Sequence, residues 1–142
     1  MPGNASDTVL LTKVTLTCTQ TTAGTVTVTV NKRSTAGSGG TSANMTIVPD
    51  DSNYAAGVSQ PVSYTGTGPT VGTLVGQLDA AKIGCNATST AGPNDVYVLN
   101  LRQKPIVLRG TAENVAIGLG GAVTGGNVTV TYEWIETATI TP

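Results

Sequence analysis

Between Val14 and Val30 apolar and polar residues alternate with a period of two. In "KVTLTC" Val14, Leu16 and Cys18 share one phase, and in "GTVTVTV" Val26, Val28 and Val30 do, with threonine filling most of the other. Such alternation is the signature of a half-buried strand, and "QTTAG" between the two stretches reads as a hairpin turn. "ANMTIV" predicts a third strand with Met45 and Ile47 on one face, stopped by Pro49. "PVSYT", "VGTLVGQL", "DVYVLNL", "PIVLRG", "ENVAIGLGG" and "GNVTVTYEWIET" predict the rest, separated by turn residues. "DAAKIG" has room for one helical turn, and "NATSTAGPN" reads as a loop. About eight or nine short strands at roughly 8–12 residue spacing predict an all-β, single-domain sandwich or barrel. Residues 1–10 are expected to form an N-terminal arm ahead of a domain over 11–142.

Composition sharpens this picture. Threonine and valine are abundant, which favours pleated sheet over helix. Only 11% of the 142 residues are charged, 7 basic against 8 acidic for a net charge of -1. Nucleic-acid binding rests on Lys and Arg neutralising phosphates, so this balance argues against such a partner. No apolar run approaches the ~20 residues of a membrane-spanning helix, and "MPGNASDTVLLTKV" shows neither a basic n-region nor a long apolar core. A protein assembled in a cytoplasm is therefore expected, with Cys18 and Cys85 as free thiols. Strand faces carrying threonine where Lys and Glu would normally stand lack the usual charged defence against association. An oligomer, a trimer in particular, is expected from this.

Candidate chemistry is sparse. The chain has no histidine, and Glu133 and Glu136, three apart on a strand, fall on opposite faces. No Ser-x-x-Lys spacing offers a nucleophile and base, and two distant cysteines cannot make a zinc site. No enzyme activity, cofactor or metal is expected. "PDDSN", Asp50 to Asn53, has oxygen ligands but not the spacing of a calcium loop. In "NKRSTAGSGGTS" the basic pair Lys32 and Arg33 precedes the glycines, whereas a phosphate cradle places Lys-Ser/Thr after them, at the start of a helix. A flexible loop over Ser34 to Ala43, rooted on that basic pair, is the expectation. Tyr132 and Trp134 share the apolar phase of their strand with Val128 and Val130, as core anchors do. Tyr54 and Tyr64 remain as a thin basis for glycan binding.

"NKRSTAGSGGTSANMTIVPDDSN", "GTLVGQL", "RQKPIVLRGTAENVAIGL" and "VTGGNVTVTYEWIE" together resemble small virion proteins of tailed bacteriophages, over Leu11 to Glu136. Asp50 stands where many of those relatives are expected to carry His. The resemblance implies a capsid decoration, or cement, protein: a trimeric β-sandwich of jelly-roll type, bound to the major capsid protein on the outside of the head. It transfers no catalytic residues. Shell contacts are then expected in the end loops, with Lys32, Arg33, Asp50 and Asp51 as polar candidates, and subunit contacts on the threonine faces. A tail or fibre component and a glycan- or receptor-binding module are the alternatives.

Overall fold

The computed structural model describes residues 1–89, 95–121 and 123–138. Nine strands run through them: β1 (Asp7–Gln20), β2 (Gly24–Arg33), β3 (Ser42–Asn44), β4 (Val62–Tyr64), β5 (Leu74–Ala87), β6 (Val96–Asn100), β7 (Ile106–Leu108), β8 (Asn114–Leu119) and β9 (Val128–Ala138). No helix occurs among the described residues, and the chain is the expected all-β single domain with the character of a β-sandwich.

β1 organises one layer. Its Asp7–Cys18 stretch pairs antiparallel with β9, while its other edge takes β7 at Val9–Leu11 and β6 at Lys13–Thr17. Between Leu11 and Lys13 the register with β9 shifts by one residue. The bulge explains why Val9 and Leu11 are buried in one phase and Val14, Leu16 and Cys18 in the other. The second layer is β5–β2–β8, with β2 antiparallel to both neighbours. Val26, Val28 and Val30 of β2, Ile83 and Cys85 of β5 and Val115 of β8 enter the core that β1 fills from the other side. Tyr132 and Trp134 pack against this core, as their phase predicts.

The layers are spliced where β1 ends: Thr19 and Gln20 run parallel to Asn86 and Ala87 of β5. Just before this splice the Cα atoms of Cys18 and Cys85 lie 4.9 Å apart and their sulfurs are joined in a disulfide. The free-thiol expectation is thus overturned. Cys85 sits on the buried face of β5 and not in a loop, so the strand register brings the two sulfurs together.

Three further expectations change. The N-terminal residues are not a separate arm, because β1 begins at Asp7, Pro2 bridges to Asn114 and Met1 is buried. "DAAKIG" is part of β5, where Ala80 and Ala81 lie opposite Thr29 and Val28. The third strand stops at Asn44, before Met45 and Ile47. Part of the predicted "NATSTAGPN" loop, residues 90–94, lies outside the described residues.

Candidate interaction surface

Between β2 and β5 the chain makes one long excursion, residues 34–73. Its legs are zipped from root to neck by paired backbone: Ser34 N–H donates to the Thr73 carbonyl, Ser38 bridges to Thr70, and Ser42–Asn44 pairs with Val62–Tyr64. The zip ends where Met45 N–H donates to the Pro61 carbonyl at 2.9 Å. Thr46 to Gln60 form the tip, a loop with closed ends of the kind that carries contacts on many scaffolds.

The glycine run serves this zip. Gly39 and Gly40 adopt φ of 70° and 77°, in the left-handed region that favours glycine. A Cβ on Gly40 would also lie 2.7 Å from the Thr67 carbonyl oxygen of the opposite leg. Ser34 to Ala43 is therefore a hydrogen-bonded leg and not the projecting flexible loop expected from composition.

Lys32 and Arg33 hold the root. Lys32 Nζ donates to the Val107 carbonyl at 2.9 Å and pairs with Glu113 at 3.4 Å, and Arg33 donates to the Gly72 carbonyl at 2.6 Å. Asp50 and Asp51 lie far along the chain in the tip, both exposed, with Asp51 capping its own turn through Asn53 N–H. No hydrogen bond or ion pair joins the basic pair to the acidic pair among the described residues. The four candidates thus divide into a structural pair and a displayed pair.

Sequence reasoning missed the residue that fixes the tip. The Glu136 carboxylate of β9 accepts the N–H groups of Val58 and Ser59, both at 2.8 Å, and the Trp134 indole N–H at 2.9 Å. Asn4, itself buried, donates to the Ser59 hydroxyl at 3.1 Å. Burial by itself would raise the Glu136 pKa, but the hydrogen bonds from Val58, Trp134 and Ser59 outweigh it and hold the carboxyl below its ordinary value. Spacing alone could have flagged only the Trp-x-Glu pair, whose members share a face. Nearby, burial pushes the Tyr132 hydroxyl up to about 12. Trp134 is consequently a component of the clamp.

Among the described residues, most of the large exposed apolar side chains fall into two groups. Val48, Tyr54, Val58, Tyr64 and Val71 belong to the excursion, with Tyr54 73% exposed. Leu74, Val75 and Leu78 belong to β5 of the second layer, and Val96 and Val98 to β6, at the opposite edge of the β1 layer from β9. Here β5 and β6 lie side by side without forming a ladder; the Tyr97 hydroxyl donates to Asp79 and Gly84 N–H to Asp95. Burial, and then the bond to Asp79, raises the Tyr97 pKa above its ordinary value. Below this tie the edges enclose a groove of about 370 Å3, lined by Leu78, Leu99, Leu101, Ile106 and Val107, with Lys32 and Lys104 beside them. Among the described residues no three Asp, Glu, Cys or His side chains cluster as a metal site would need. Compared with family models, curated proteins and solved structures, the chain finds no match in any of the three.

Proposed function

We propose that this chain is a structural virion protein that decorates the outside of a tailed-phage head and stabilises the assembled shell. The observation that carries the reading is the excursion: a braced element displaying Tyr54, Val48, Asp50 and Asp51 to neighbours, on a scaffold tied by a buried disulfide. The phage-type motifs of the sequence agree with it, since most fall on this excursion and its supporting strands. A decoration protein binds the closed shell better than its separated subunits, and mass action then stabilises the shell. Several copies held together add avidity to modest single contacts. Particle surfaces are also an oxidising setting in which a disulfide persists.

Lys32 and Arg33, occupied at the root, leave the contacts of this reading, whether to the shell or to a neighbouring copy on it, to Asp50, Asp51 and the apolar residues around them. The test is a heat challenge of undecorated heads with saturating protein. A raised rupture temperature is expected, and an unchanged one refutes the reading. The exposure of Tyr54 favours a second reading, glycan binding; it requires sugar binding by the wild type that is lost in Tyr54→Ala.

A further inference from the structure

Among the described residues, ten of the twelve large apolar side chains left exposed lie either on the excursion or on the flank of β5 and β6, where Leu78 lines the groove, so two separate apolar regions are displayed. They differ in charge. The excursion tip adds Asp50 and Asp51, both exposed, to Val48 and Tyr54. The flank groove is aliphatic and has Lys104, exposed, and Lys32 beside it. They also lie on opposite sides, because the tip is clamped to β9 by Glu136 while β6 and β7 occupy the other edge of β1.

From these placements we infer that the tip of one copy docks in the β5/β6 groove of a second copy, Val48 entering the aliphatic groove and Asp50 or Asp51 meeting Lys104. Two complementary patches on opposite sides make a head-to-tail contact, which closes into a ring when the rotation between copies allows. β5 is suited to receive it. Its register with β2 shifts twice, between Asp79 and Gln77 and between Gly76 and Leu74, leaving Leu78 and Val75 as the unpaired residues of two bulges. Bulges re-aim side chains and end pairing, so these two turn aliphatic groups outward on an edge with no ladder partner there. The threonine faces, expected to carry subunit contacts, would surrender hydrated hydroxyls on burial, whereas tip and flank remove apolar surface from water. The inference rests on the excursion being a contact element, as proposed above, and names its neighbour as another copy of this chain.

The test needs the purified protein alone, with mass measured by light scattering during size exclusion at high micromolar concentration. Wild type is expected to exceed the 14.2 kDa of one chain. The tip variant Asp50→Lys/Asp51→Lys and the flank variant Leu78→Gln/Lys104→Glu are each expected to weaken assembly by roughly tenfold or more. Mixed in equal amounts they are expected to assemble to a dimer or beyond, since one intact tip and one intact groove remain between them and the reversed charges of the other pair are again complementary. A chain carrying Asp50→Lys, Asp51→Lys and Lys104→Glu reverses both charges and is expected to regain assembly, which excludes simple misfolding. A monomeric wild type, an assembly indifferent to both variants, or a mixture that stays monomeric overturns the inference. A monomer that still protects heads from heat would overturn this contact and spare the decoration reading; an assembly that gives no protection would do the reverse.

Discussion

Reducing the Cys18–Cys85 bond should cost this protein a large part of its stability. The bond closes a loop of sequence separation 67. In the chain-entropy relation, closing such a loop removes about 15 cal/mol/K from the unfolded ensemble, or about 4.4 kcal/mol at 25 °C. Unfolding entropy near ~2.1 cal/mol/K per residue gives about 300 cal/mol/K for a chain of 142 residues. The reduced protein should therefore melt about 15 °C below the oxidised one. Both sulfurs are buried, so reduction requires unfolding in denaturant with reductant, followed by refolding under reductant. Reduced wild type keeps every atom of the core except the bond, which makes it a cleaner comparison than Cys→Ala. Thiol titration in denaturant should find no thiols before reduction and two after it. The urea m-value should rise on reduction, because the freed unfolded chain expands. A melting difference under about 3 °C would show that the bond does not limit the unfolded ensemble as reasoned.

The neck clamp and the glycine pair give two more predictions. Glu136→Gln removes the charge from the acceptor of three N–H groups, which should cost about 2 kcal/mol and expose residues 57–59 to proteolysis. In wild type the Glu136 pKa is depressed on folding, so its contribution is complete above the ordinary value of 4.5 and is lost as pH falls through the folded value. Pepsin should cut the tip increasingly over that acid range, whereas the Gln variant should show little added pH dependence there. Gly40→Ala forces a left-handed residue against the Thr67 carbonyl and should cost about 2 kcal/mol locally. Hydrogen exchange at the Thr41 amide, which donates to that carbonyl, should accelerate roughly thirtyfold, and unchanged exchange would contradict the role given to the glycines.

Strands were legible wherever alternation was uninterrupted: Val26, Val28 and Val30 are all buried, as their spacing requires. Prediction weakened where backbone geometry broke the period. The bulge after Leu11 resets the phase of β1, so Val9 and Leu11 do not continue the Val14–Cys18 series. Ala80 and Ala81 favour a helix locally, but in β5 they lie opposite Thr29 and Val28 of β2, and ladder pairing overrides the local preference. The disulfide was hidden because its partners meet only through the splice of two layers. The excursion was hidden for a related reason: backbone bonds zip its legs, and its clamp joins Val58 to a carboxylate 78 positions away. Lys32 and Arg33 look like a displayed basic pair in sequence, and only the folded chain shows them held by Val107, Glu113 and Gly72.

The placement of β1 has a consequence for how the molecule is made. Its main partner, β9, begins at Val128, more than a hundred positions after β1 ends at Gln20. A ribosome adding roughly 5–20 residues per second needs on the order of 5–20 seconds to travel that distance. Throughout that interval the nascent chain holds a strand of apolar residues interleaved with threonine whose principal neighbour does not yet exist. Such a segment is a template for pairing between polypeptides on adjacent ribosomes, so slower translation initiation or a bound chaperone should raise the yield of soluble protein.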